Sequence, residues 1–310
     1  MIFRRIAKAV AVGVGVILLF AALAWWYFHP TVEIQSDIGY TKRNGATLSY
    51  DVFTPDKQNG AAVLLLISGS WKSGVEDFDP WPGAVFLRRG YTVFAIRHLS
   101  QPKATVAEIV EDLNRAVRHI RHHAADFGVE KDRFGVSGGS SGGHLSLMLA
   151  TRGGVLPPEQ RVDSIDLESS AVQAAAVFFP VTDLVDLGPS TQNPGDGGPP
   201  MSYVAGFGFQ SRKGDRKRIP QSALPKWKDV AEELSPIYHL SKKLPPVLII
   251  HGDADTLVPV DQSERFLERA RELGIAKRIN LQIREGKTHG WPTMIFELFR
   301  MADFYDRHLE

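Results

Sequence analysis

The stretch Gly135-Val136-Ser137-Gly138-Gly139-Ser140-Ser141-Gly142-Gly143-His144 decides how the rest of this 310-residue chain is read. It follows a segment of strand character around Arg133 to Ser137. It opens a segment of helical character from about Ser141 to Thr151. A serine flanked by glycines at such a corner is the G-x-S-x-G arrangement. There the hydroxyl is exposed at a tight strand-to-helix turn, and the helix N-terminus faces developing negative charge. Ser137, Ser140 and Ser141 each satisfy the pattern. Ser137 comes before the strand has turned, and Ser141 would start the helix one residue late. Ser140 sets Gly138 before the turn and Gly142 after it, so Ser140 is the expected nucleophile. The competing reading is a glycine loop for phosphate. That loop normally follows the first strand and needs an acid about 20 residues on, whereas this one lies mid-chain.

Working outward, Ala46 to Phe53, Ala61 to Ile67, Tyr91 to Ile96, Val172 to Phe179, Pro245 to His251 and Ile279 to Ile283 read as strands. Several are unbroken apolar runs, as expected for strands buried on both faces. Thr31 to Ser36 reads as a tether or first strand. Thr105 to Phe127 reads as a helix: Thr105 and Glu108 form a capping box, apolar residues from Val106 to Ile120 recur at spacings of three and four, and Gly128 ends it. Asp261 with Glu264 is expected to cap another helix, and Pro292 to His308 forms the last. Strands alternating with helices predict an α/β fold with a mostly parallel central sheet covered on both faces. Residues 184–236, rich in glycine, proline and polar side chains, interrupt the alternation and read as a lid or cap insertion. Its basic cluster, Arg212, Lys213, Arg216, Lys217 and Arg218, reads as a solvated loop.

A serine hydroxyl needs a base, and the base needs an acid to orient it. In folds with a mid-chain serine elbow the order is serine, acid, histidine. Downstream, His251-Gly252-Asp253-Ala254-Asp255-Thr256-Leu257-Val258-Pro259 follows a strand and offers Asp255, with Asp253 as competitor. His289 follows the last strand in Gly286-Lys287-Thr288-His289-Gly290-Trp291, whereas His308 lies near the chain end on a charged helix. The expected catalytic set is Ser140, Asp255 and His289, with His251 supporting the acid loop. Donors for an oxyanion are expected from the N–H of Ser141 and from Gly69 and Ser70 in the loop Ser68-Gly69-Ser70-Trp71.

Composition narrows the classes. There are 36 basic and 35 acidic residues, a net charge of +1, which gives no reason to expect nucleic acid as a partner. The absence of cysteine excludes disulfides, a thiol nucleophile and a thiolate metal site. His119, His122 and His123 read as solvated helix residues, and with no third ligand in view for His119 and His122, no metal or cofactor is expected. At the N-terminus, Arg4, Arg5 and Lys8 precede an uncharged run from Ala9 to Phe28 ending in Trp25, Trp26 and Tyr27. Such a run spans about 30 Å as a helix, the thickness of a hydrocarbon core. Residues 1–30 therefore read as a transmembrane anchor with the catalytic domain, residues 38–310, outside the cytoplasm. The alternative is a signal peptide cleaved near Ala22-Leu23-Ala24, which would release a secreted domain.

Taken together, GVSGGSSGGHLSL, HGDADTLVP and HGW resemble the α/β-hydrolase esterases of the hormone-sensitive-lipase and acetyl-xylan/feruloyl-esterase-like group, over roughly Thr47 to Trp291. The segment SPIYHLSKKLPP is also similar to prolyl-oligopeptidase-type catalytic domains. The resemblance implies a serine hydrolase of small-molecule carboxylic esters, with Ser140, Asp255 and His289 as its triad and no cofactor. Two alternatives stand beside it: a peptidase of the prolyl-oligopeptidase type, whose usual N-terminal propeller this chain has no room for, and a hydrolase fold kept as a binding module. One departure stands out. The family's oxyanion loop usually reads HGG or HGGGW, and here Ser68 replaces the histidine and Ser70 a glycine.

Overall fold

The computed structural model describes residues 2–74, 79–101, 103–187 and 224–310. Eight strands, β1 (Val32–Arg43), β2 (Ala46–Pro55), β3 (Ala62–Leu66), β4 (Thr92–Ile96), β5 (Phe134–Gly139), β6 (Ala174–Phe178), β7 (Val247–Gly252) and β8 (Ile279–Arg284), make one sheet in the order β1-β2-β4-β3-β5-β6-β7-β8. The pairs β1–β2 and β2–β4 are antiparallel, and all others are parallel. β1 runs well past the expected tether. Asn44 and Gly45 both adopt positive φ, 51° and 80°, and close a two-residue hairpin that lets Arg43 pair with Ala46.

Helices α1 (Ile2–Phe28), α2 (Ala84–Leu87), α3 (Val106–His122), α4 (Ser141–Arg152), α5 (Leu224–Glu233), α6 (Asp261–Glu272) and α7 (Glu297–His308) complete the described chain. Helices α3, α4 and α6 bury Ile109, Leu113, Met148 and Phe266 against one face of the sheet. Helices α2 and α7 bury Phe86, Met301 and Tyr305 against the other. The strands supply both cores by alternation, Leu64 and Val177 facing one and Val63 and Ala176 the other. That is why they read as unbroken apolar runs.

Several expectations are corrected. The helix expected through Phe127 stops at His122; His123 leaves helical geometry and a 3-10 turn, Ala124–Phe127, leads to Gly128 at φ 66°. The Thr105–Glu108 capping box at its start is present. Asp261 caps nothing with its side chain, because Val260 already has helical dihedrals, and the carbonyls of Pro259 and Val260 take the first amides. The Asp261 carboxylate lies instead 3.3 Å from Arg265. His119 is no solvated residue: its Nδ1 is 2.9 Å from the Tyr50 hydroxyl. The last helix begins as a 3-10 turn, Pro292–Phe296, before α7.

Of the expected lid, residues 188–223, with the basic cluster Arg212 to Arg218, lie outside the described residues. The end of that segment packs into the domain. Ser235 is fully buried, donates to Ala231 O at 2.6 Å and accepts from the Leu184 amide at 2.8 Å.

Every parallel strand delivers its following loop to one edge of the sheet. Ser68 follows β3, His98 follows β4, Ser140 follows β5, Phe179 follows β6, Asp255 follows β7 and His289 follows β8. The carboxyl edge of a parallel sheet is where α/β folds place their ligands.

Candidate active site

Ser140 sits between β5 and α4 with φ 56° and ψ −122°, a conformation L-residues rarely hold. Strain of about 1–3 kcal/mol of this kind persists where the surroundings enforce it. They do so here. The Ser140 amide donates to Phe178 O at 3.0 Å, and its carbonyl accepts from His144 N at 2.9 Å. The corner closes so tightly that a Cβ on Gly138 would lie 2.4 Å from the Gly142 carbonyl carbon, and one on Gly142 would lie 2.7 Å from Leu66 O. Glycine at both places is therefore a steric requirement.

The neighbouring serines are engaged elsewhere. Ser137 Oγ, buried, is 2.7 Å from the Tyr305 hydroxyl on the α7 side of the sheet. Ser141 Oγ accepts from the Trp71 amide at 3.0 Å and is 3.1 Å from Ser68 Oγ.

Asp255 is buried in the turn after β7. Its Oδ1 accepts the amides of Leu257 and Val258, each at 2.9 Å, and its Oδ2 accepts Nδ1–H of His289 at 2.7 Å. Burial alone would push this carboxyl up. Hydrogen bonds from His251, His289 and the two amides outweigh it and hold the group well below the usual carboxylate range. His251 Nε2 donates to Val258 O at 2.9 Å and Nδ1 lies 2.7 Å from Ser263 Oγ, so it braces the acid loop from within. Asp253 has a separate task. Its Oδ1 accepts the Gly286 amide at 2.7 Å, and Ala254 N donates to Lys287 O at 2.9 Å. The acid loop is thereby knitted to the loop that carries His289.

With Nδ1–H directed at Asp255, the lone pair of His289 is on Nε2, the arrangement a general base requires. The Phe179 ring lies 4.3 Å from the imidazole, centroid to centroid, and Phe179 itself has φ 33°. Ser140 and His289 thus both contact the Phe178–Phe179 end of β6.

The loop after β3 departs from one expectation. The Gly69 amide donates to Lys72 O at 2.9 Å inside a small bridge, and Lys72 N donates back at 3.0 Å. Among the described residues no carbonyl accepts from the Ser70 amide. The Ser141 amide sits at the first position of α4, where no intrahelical carbonyl reaches it. The amides of Ser70 and Ser141 are thus left without a carbonyl acceptor among the described residues, whereas that of Gly69 is engaged.

Sequence reasoning missed what stands behind Ser68. His98 Nδ1 donates to Leu99 O at 3.1 Å, which leaves Nε2 to accept from Ser68 Oγ at 2.9 Å. Ser68 Oγ then accepts from Ser141 Oγ, which accepts from Trp71 N. His98 closes this chain from the end of the neighbouring strand β4. On the other side of the loop, Trp71 Nε1 donates to His144 Nδ1 at 3.1 Å, and His144 Nε2 donates to Leu234 O at 2.7 Å. No short motif announces these contacts; the parallel pairing of β3 with β4 creates the first. Among the described residues, no group of three or more histidine or acidic side chains is placed to hold a metal.

Burial lowers the pKa of five imidazoles among the described residues, His239 and His308 besides the three that follow. His144 is pushed down to about 4 by desolvation, partly offset by Leu234 O. His119 is pushed down to about 4 by desolvation and then by His123, Arg115 and His122. His98 is lowered by desolvation, partly offset by Leu99 O. Between the ordinary histidine value of about 6.5 and about 4, the unfolded chain binds more protons than the native one, so stability is full above this window and falls as pH drops through it. The Tm is expected to drop by roughly 5–10 °C from pH 7 to pH 5, with a shallower fall in His119→Gln. Thermal melts across that range check this, and a flat wild-type profile contradicts it.

A family model described as BD-FAE matches residues 50–270. Esterase LipQ of Mycobacterium tuberculosis is 27% identical over 226 residues, covering 72% of this chain and 49% of LipQ. The probable carboxylic ester hydrolase LipM of the same organism is 29% identical over 221 residues, covering 70% of this chain and 47% of LipM. The chain thus matches about half the length of these relatives. Among solved structures, a truncated carbohydrate esterase from gut microbiota superposes with a TM-score of 0.69 at 22% identity, covering 92% of this chain and 98% of that one. At that identity the superposition establishes the shared fold.

Proposed function

Because the chain belongs to the BD-FAE family, we propose that it is a serine hydrolase that cleaves carboxylic esters through an acyl-enzyme on Ser140. His289 Nε2 takes the Ser140 proton as the oxygen attacks the ester carbonyl. The resulting oxyanion is met by the amide of Ser141 at the N-terminus of α4 and that of Ser70 in the loop after β3. Collapse expels the alcohol, which takes its proton from His289. Water, deprotonated by the same imidazole, then attacks the acyl-enzyme and releases the acid. Asp255 holds the imidazole tautomer and stabilises its charged form throughout.

The observation that carries this reading is the contrast among three adjacent serines. Ser137 and Ser141 are buried and hydrogen-bonded, and Ser140 alone occupies the strained corner. A fluorophosphonate probe followed by peptide mass analysis tests it. The expected adduct is on Ser140; an adduct on Ser137 or Ser141 overturns the assignment.

The membrane reading rests on α1. Its segment Ala11–Phe28 has a mean hydropathy of 2.1, has no fully buried residue, and is long and apolar enough to span a bilayer. A retained anchor is supported over a cleaved signal by the docking of its end. Arg88 donates Nε to Tyr27 O at 3.1 Å and a second nitrogen to Trp26 O, while Tyr27 stacks on Phe299 of α7. The positive residues before the span favour a catalytic domain outside the cytoplasm.

A further inference from the structure

A cavity of about 500 Å³ opens beside the serine corner, on the α2–α7 face of the sheet. Its lining includes immediate neighbours of the site residues: Gly139 precedes Ser140, Phe178 accepts the Ser140 amide through its carbonyl, and Trp291 lies two residues past His289. Its outer wall includes Phe86, Met294 and Leu298. Among the described residues no charged side chain lines it, and the Ser137 hydroxyl on its floor is engaged by Tyr305. Its volume falls in the range of about 300–1,000 Å³ usual for small-molecule sites, yet it offers few of the convergent polar groups that a sugar or peptide would need.

The same outer wall holds the end of α1. Arg88, two residues past Phe86, lies 4.2 Å over the Trp26 ring and grips the two carbonyls of Trp26 and Tyr27. Phe299, next to Leu298, stacks on Tyr27 with ring centroids 5.5 Å apart. The cavity and the bilayer end of the anchor therefore share α2 and the start of α7. We infer that this cavity receives the apolar chain of an ester resident in the bilayer that α1 spans. The chain passes from one apolar surrounding to another, while the ester carbonyl is left at Ser140. Against water, each buried methylene would favour binding about fourfold.

This inference rests on the serine-hydrolase reading and on a retained anchor, and its test separates them. The full chain is reconstituted in phosphatidylcholine vesicles with 4-methylumbelliferyl palmitate in the bilayer or 4-methylumbelliferyl acetate in the water. Palmitate in the enzyme's own vesicles is expected to be cleaved at least about tenfold faster than palmitate supplied in separate vesicles. Met294→Trp, which narrows the cavity, is expected to lower the palmitate-to-acetate rate ratio at least about tenfold. Cleavage of acetate with palmitate untouched in wild type overturns the inference. So does an unchanged ratio in the variant, or equal rates from the two vesicle populations. Failure to cleave either ester overturns the serine-hydrolase reading instead.

Discussion

Ester hydrolysis by the Ser140→Ala chain is expected to fall in kcat by about 10⁶-fold, with His289→Ala falling about as far and the double variant no further. The two side chains perform one proton transfer, so removing either removes the step, and a second removal finds nothing left to lose. What survives, about 10³–10⁴ over water, comes from binding and from the amides of Ser70 and Ser141, which neither change touches. A continuous assay with a nitrophenyl ester, with the enzyme well above trace contamination, reads both numbers. Losses that multiply in the double variant would mean that the two residues act independently, and the proton-transfer pairing would be abandoned.

Asp255→Asn carries the second large effect, a loss in kcat of about 10⁴-fold with KM little changed. The geometry states why so small a change is so harmful. Oδ1 is held by the amides of Leu257 and Val258, so the oxygen of an asparagine is kept there. Its NH2 group is then forced toward His289 Nδ1, where Oδ2 now accepts at 2.7 Å. Two donors cannot face each other, so the imidazole proton moves to Nε2 and the base is lost. Asp253→Asn is the control. Its amide oxygen can still accept from Gly286 N, and a change within about threefold is expected. If Asp253→Asn proved the more damaging of the two, the acid would have been misassigned.

Much of this arrangement was legible along the chain. The parallel sheet followed from apolar runs of strand length, because strands covered on both faces have no polar side to display. The choice of Ser140 followed from where glycine is sterically compelled, at Gly138 and Gly142. The order of serine, acid and histidine followed from strands that deliver successive loops to one edge. What escaped notice depends on pairing across the sheet. His98 meets Ser68 only because β4 lies beside β3, and thirty residues of sequence separate the two. The engaged amide of Gly69 escaped for a similar reason, since a bridge of two residues leaves no compositional trace. Asp261 misled because a capping residue is recognised by its type, whereas the cap is decided by the dihedrals of the residue before it.

Only residues 29 to 31 separate the end of α1 from the start of β1. Fully extended they reach about 10 Å, and the Arg88 clasp shortens even that freedom. Were α1 to span a bilayer as proposed, the enzyme would work as a fixture of the surface rather than on a leash above it. Its search for a lipid-borne substrate would be planar, governed by how many target molecules share the same patch of lipid rather than by their concentration in the surrounding fluid. Dilution of the medium would then leave turnover of such targets untouched, whereas dilution of the lipid by inert neighbours would slow it in proportion.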